Sequence, residues 1–96
     1  MTSKTIIEME ARPGQREHLL KVLAEMHEQR QKAAGFLTFT RYEVIDDPDK
    51  IIEITEWESP EARQAWLEQS MSSGVFQRLI HTLKQPFKAV TVRQIE

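Results

Sequence analysis

Residues 4–11 (KTIIEMEA) place two β-branched isoleucines among polar neighbours, and Arg12-Pro13-Gly14 follows, so the chain opens as a strand closed by a turn. From Gln15 to about Ala33 there is no proline or glycine. Over that stretch Leu19, Leu20, Leu23, Met26, His27 and Arg30 recur every three or four positions, which predicts a helix whose inward stripe turns polar at its far end. Gly35 is placed to close that helix in the left-handed conformation.

Residues 36–45 (FLTFTRYEVI) are dense in aromatic and β-branched side chains. Asp46-Asp47-Pro48-Asp49 then reads as a polar turn before a second strand over 50–58, making a β-hairpin. Ser59-Pro60 is a helix start, with serine as the N-cap and proline at the first helical position, and Ala62, Ala65 and Trp66 form the inward stripe of a short helix. Met71-Ser72-Ser73-Gly74 interrupts it. Val75, Phe76, Leu79, Ile80 and Leu83 restart the period in another short helix ending before Pro86, and residues 87–95 form a last strand. The order βαββα(α)β predicts an α+β fold of the ferredoxin-like kind, a four-stranded antiparallel sheet with its helices on one face.

The other face then needs a cover. In the hairpin Phe36, Tyr42 and Val44 share one parity and Leu37, Phe39 and Ile45 the other, while Ile52 and Ile54 oppose Ile51 and Trp57. A sheet apolar on both sides calls for two covers, and the second is expected to be the same face of another copy, a homodimer packed sheet face to sheet face. Length agrees. The 96 residues make a single domain, 1–96, that hides only about 65% of its unfolded surface, so a partner subunit adds stability.

Composition narrows the chemistry. At 40% hydrophobic and 29% charged the chain is of the folding kind, and a net charge of −2 supplies no general attraction to nucleic acid or to an anionic membrane. The absence of cysteine removes disulfides, thiolate nucleophiles and thiolate-bound metals, and the three histidines share no metal-ligand spacing, so no metal is expected. Apolar runs are too short for a signal peptide or a membrane span, which makes a cytoplasmic location the expectation.

Arg12-Pro13-Gly14-Gln15 before a long helix, Gly35-Phe36-Leu37, Tyr42, Asp46-Asp47-Pro48 and above all the run Glu56-Trp57-Glu58-Ser59-Pro60-Glu61-Ala62 resemble the antibiotic biosynthesis monooxygenase (ABM) family over almost the whole chain. The resemblance implies a dimeric α+β barrel of two ferredoxin-like sheets. It also implies a small oxygenase that oxidises quinol or anthrone-type aromatics with O2 and uses no metal, flavin or other cofactor. Related members degrade heme, isomerise a signalling sugar derivative or have no known activity. An electron-rich phenol or hydroquinone, once deprotonated, can pass an electron to oxygen itself, so such a protein need only bind it in a dry cleft, help remove a proton and stabilise the anion.

Each candidate residue has a functional and a structural reading. Trp57 matches a tryptophan that lines the substrate pocket in quinone-type members, or it is core packing alone. The asparagine those members carry four residues earlier is here Glu53, which is a general base if buried in an apolar cleft and a solvated sheet-edge group otherwise. His27, one turn after Leu23 on the helical stripe, is either an acid or base in a pocket or a structural hydrogen-bonding group. Trp66, Tyr42 and Phe76 are expected to shape the cleft, with Phe36 and Phe39 as further apolar walls.

Two other functions stay open. Heme binding is suggested by Trp66, which matches a porphyrin-crowding tryptophan, and by His81. The axial histidine position itself is Ile80, however, the asparagine position on the first strand is Ile7, and His81 falls on the polar side of its helix. A small-ligand-binding dimer without catalysis is suggested by the missing asparagine. Glu17 with Lys21 and Glu28 with Lys32, one turn apart, read as a solvated helix face.

Overall fold

Alternation along the first strand sets the orientation of the whole sheet. β1 (Ser3–Glu10) buries Ser3, Thr5 and Met9 and exposes Lys4 and Glu8, so one face lies under the helices and the other does not. In the computed structural model, which describes residues 2–96, the elements that follow are α1 (Arg16–Arg30), β2 (Phe36–Val44), β3 (Asp47–Trp57), α2 (Pro60–Ser70), α3 (Gly74–Thr82) and β4 (Lys88–Val92). The strands pair antiparallel in the order β2-β3-β1-β4, with β1 and β3 central. This is the ferredoxin-like α+β arrangement expected from the sequence.

The core forms where apolar stripes meet. Leu19, Val22, Leu23 and Met26 of α1 pack with Val75, Phe76 and Leu79 of α3, with Leu83, and with Met9 and Ile51 of the sheet. Leu19 is fully buried, and cutting such a leucine to alanine costs about 2–5 kcal/mol. On the outer surface α1 is tied to α3 by Arg78 to Glu25 and to β2 by Arg16 to Glu43, while Arg16 also pairs with its neighbour Glu17 within α1.

Helix ends follow their residues. The Ser59 hydroxyl accepts a hydrogen bond from the Ala62 amide at 3.1 Å with Pro60 at the first helical position, and Ser73 caps α3 through the Phe76 amide. Helix α1 stops at Arg30, sooner than expected, and two further turns lead to Gly35 at φ +85°. Gly35 does more than turn. A Cβ there would sit 2.6 Å from the Ala62 Cβ, while its carbonyl accepts the Glu58 amide at 2.8 Å, so only glycine lets β2 begin this close under α2.

Two details of the hairpin depart from expectation. The turn is Ile45-Asp46, and β3 begins at Asp47, with Pro48 lying where the ladder is interrupted between Glu43 and Val44 and no strand amide is demanded. A β-bulge also shifts the register between Phe36 and Thr38, leaving Leu37 as the extra residue. Phe36 consequently shares the helix-covered face with Phe39 and Arg41, while Tyr42 falls on the open face with Thr38 and Thr40, so the simple parity assignment is corrected at this point. On α2, Trp66 and Ala62 are half-buried, but Ala65 is exposed and does not belong to the inward stripe.

Candidate functional site

The strand register places a charged pair in the middle of the covered face. Glu53 of β3 is opposite Ile7 on one side and Arg41 of β2 on the other, and the last turn of α1 brings Arg30 down onto it. Glu53 and Arg30 are only 1% and 3% exposed. Arg30 Nη1 donates to one carboxylate oxygen at 3.0 Å and Arg41 Nε donates to the other at 2.8 Å. Glu53 is therefore neither a sheet-edge group in water nor a free carboxylate in an apolar cleft; both of its oxygens are held by cations.

The network extends to His27. Arg30 Nη2 lies 3.0 Å from His27 Nδ1, and because a guanidinium only donates, that nitrogen accepts and the neutral ring carries its proton on Nε2. The ring stacks on Phe39 at 3.7 Å between centroids and meets Phe36 edge-on at 5.7 Å. Burial first, then the Arg30 cation, push the His27 pKa below its ordinary 6.5, against the opposing pull of Glu53. Arg30 also lies over the Phe36 and Phe39 rings, and Arg41 over Phe39, so the cations rest on aromatic faces.

A cavity opens beside this network between helices and sheet. Arg30, Glu53 and Arg63 form its polar end, and Ile7, Met26, Trp66, Leu67, Phe76 and Phe87 are among its apolar walls. With its mouth the space measures about 370 Å³.

Of the expected site residues, Glu53, Trp66 and Phe76 line this cavity together. His27 reaches it only through Arg30. Trp57 is fully buried behind Trp66, with ring centroids 5.8 Å apart; its indole N–H donates to the Thr55 hydroxyl at 3.1 Å and its edge meets Phe36. Tyr42 is half-exposed on the opposite face of the sheet and does not join the cleft, because the bulge at Leu37 changes which residues of β2 face inward. His81 and His18 are exposed and line a surface groove with Arg12 and Arg78, away from Trp66, so the pair of residues that suggested heme is not brought together. Among the described residues no three His, Cys, Asp or Glu side chains converge as a metal cage, and no helix is long and apolar enough to cross a membrane.

Reading the sequence missed Arg41 and Arg63 as parts of this site. Arg30 did leave a signal, a charged residue repeating on an otherwise apolar stripe, and once the bulge is known Arg41 and Glu53 fall on the same face. Nothing in the local pattern singles out Arg63 or Phe87.

A four-stranded ferredoxin-like sheet with its helices on one face, and a cavity walled by aromatic side chains beneath them, places the chain among the small α+β domains of ferredoxin-like fold. Within that class the chain belongs to the antibiotic biosynthesis monooxygenase family, whose model matches residues 3–78. Solved structures share the fold over nearly all of both chains. A putative antibiotic biosynthesis monooxygenase from Bordetella bronchiseptica aligns with a TM-score of 0.85 at 14% identity, covering 99% of this chain and 98% of that one. SnoaB, a cofactor-independent oxygenase from Streptomyces nogalater, aligns at 0.83 and 17%, covering 98% and 95%. Rv0793 from Mycobacterium tuberculosis aligns at 0.77 and 18%, covering 100% and 97%. A search of the curated proteins finds no match.

Proposed function

We propose that this protein is a monooxygenase that oxidises a quinol or anthrone-type aromatic with O2 and needs no cofactor. The observation that carries the reading is an aromatic-walled cavity ending on buried cations, beneath the helices of a fold shared with a cofactor-independent oxygenase. In an anthrone the reacting centre is the CH2 group across the central ring from the carbonyl, and loss of one proton to water gives an enolate delocalised through the flanking aromatic rings onto that carbonyl oxygen. The enolate carbon transfers its electrons to O2 and forms a C–O bond. The resulting peroxide loses water as its second C–H bond breaks, so CH2 plus O2 becomes C=O plus H2O.

Each group then has a part in that sequence. Trp66 and Phe76 hold the ring, and the excess positive charge around Arg30 favours the enolate over its neutral acid. Glu53, with a guanidinium hydrogen-bonded to each of its oxygens, acts as a positioning residue that fixes both guanidiniums. Neutral His27 orients Arg30, and Trp57 backs Trp66. The functional unit is proposed as a homodimer joined through the open sheet face, where Ile6, Ile52 and Ile54 lie half-buried beside exposed Val90 and Val92.

The test is oxygen uptake by metal-stripped protein with a panel of hydroquinones and anthrones, corrected for autoxidation. Uptake above background that falls at least about tenfold in Trp66→Leu supports the reading. A second reading, a ligand-binding dimer without turnover, is favoured by one observation: the chain contains no asparagine, and the glutamate at the family's asparagine position is fully engaged. Binding of the same compounds with uptake no faster than autoxidation selects it.

A further inference from the structure

The charges around the cavity do not balance. Arg30, Arg41 and Arg63 gather near Glu53, and His27 is neutral in its Nδ1-accepting form, which leaves two uncompensated positive charges. Among the described residues no carboxylate lies within ion-pair distance of Arg63; Arg30 is its close charged neighbour and, after burial, the second cause that lowers its pKa. Donors are left over as well. Among the described residues Arg30 Nε and Arg41 Nη2 are buried with no hydrogen-bond partner, in residues that otherwise make charge-assisted bonds to Glu53. A buried unpaired guanidinium N–H is costly, so an arrangement that keeps one on Arg30 beside half-buried Arg63, both lining the cavity, is built around something absent from the chain.

That something is an anion. A phenolate, an enolate and a carboxylate each carry one negative charge, so the choice among them rests on shape: a planar guanidinium fork matches the two oxygens of a carboxylate. The apolar remainder of the cavity, with Trp66, Phe76 and Phe87, demands a ring attached to it. We propose that the Arg30–Arg63 end of the cavity is a carboxylate subsite and that the substrate is an aromatic acid. This deepens the oxygenase reading and rests on it only for the oxidation step; the binding claim stands on the charge arrangement.

The probe is therefore redox-inert. Titration calorimetry at pH 7 compares 2-naphthoate with 2-naphthamide, which match in shape and differ in charge. The acid is expected to bind about 30-fold more tightly, as the loss of charge-assisted hydrogen bonds in the amide requires. Arg63→Gln is expected to bring the two within about threefold, and Arg63→Lys to retain part of the preference, with thermal melting checked for both variants. Equal binding of acid and amide, a preference that survives Arg63→Gln in a folded variant, or no binding of either compound overturns the subsite. Oxygen uptake separates this from the parent reading. Turnover of neutral anthrones without any acid preference leaves the oxygenase standing and removes the subsite, whereas acid-selective binding without turnover does the reverse.

Discussion

On the sheet face beneath the helices, β3 buries Glu53 and Thr55 between Ile51 and Trp57, and β1 buries Ser3 and Thr5; on the other face the same two strands present Ile52, Ile54 and Ile6, joined by exposed Val90, Val92 and Tyr42. Burial by itself would favour the reverse, with polar residues facing out and isoleucines beneath the helices. The difference separates two kinds of selection. The covered face gives up apolar packing around Glu53 to hold a fixed pair of cations, as expected of a site. The open face carries the apolar bulk of an interior and, among the described residues, no helix lies upon it, which is the ground for the proposed homodimer.

The largest effect should come from breaking the covered face at its centre. Glu53→Gln leaves buried Arg30 and half-buried Arg41 without their counter-charge, and loss of one partner from a buried ion pair such as Arg30–Glu53 costs about 3–5 kcal/mol. Urea unfolding at pH 7 measures it. The combined change Arg30→Met, Arg41→Met and Glu53→Leu is expected to recover most of that stability by apolar packing while abolishing the acid preference of the cavity. Stability and binding would then move in opposite directions, which a merely structural ion cluster does not produce. A loss below about 1 kcal/mol in Glu53→Gln would mean that water already reaches the cluster and that the two faces differ less than their burial indicates.

The open face should respond in assembly and hardly in folding. Ile52→Lys with Ile54→Lys places two charges at the middle of that face, and each buried isoleucine contributes about 1.5–3 kcal/mol to a contact that covers it. Dimer dissociation, followed by sedimentation, is expected to become at least about 100-fold easier, while the unfolding free energy of the monomer changes by about 1 kcal/mol or less. A wild-type chain that sediments at monomer mass at micromolar concentration would show that no second copy covers the isoleucines.

The fold was legible because it depends on local signals that do not compete: Ser59-Pro60 starts a helix whatever lies around it, and the three-to-four spacing from Leu19 to Arg30 is unbroken. The site was only half legible. Glu53 and Trp66 stood out by residue type and place, but their surroundings depend on one bulged residue, Leu37, and on which helix turn lies above which strand. A single extra residue exchanges the faces of every position beyond it on β2, which is why Tyr42 was expected in the cleft and Arg41 was not. Arg63 had no signal of its own, since its meaning comes entirely from the charge of Arg30 nearby.

The smallest effect is also the most specific to the covered face. Because the His27 pKa is lower in the folded protein than its ordinary 6.5, the unfolded chain binds the proton first as pH falls. Stability therefore drops as pH decreases from about 6.5 toward the folded-state value and levels off below it. Glu25, whose carboxyl is held below its ordinary 4.5 by Arg78, loses its contribution only at lower pH, so the two windows separate. His27→Gln is expected to flatten the upper window and leave the lower one in place, as read by unfolding at a series of pH values. Ligand binding should modify this slope in a definite direction. A carboxylate held by Arg30 cancels much of the positive charge that disfavours imidazolium, so saturating 2-naphthoate is expected to raise the His27 pKa toward 6.5, while 2-naphthamide leaves it unmoved. Proton NMR titration of the His27 ring, assigned by its loss in His27→Gln, detects that shift, and identical titration curves with acid and amide would place any bound anion away from Arg30.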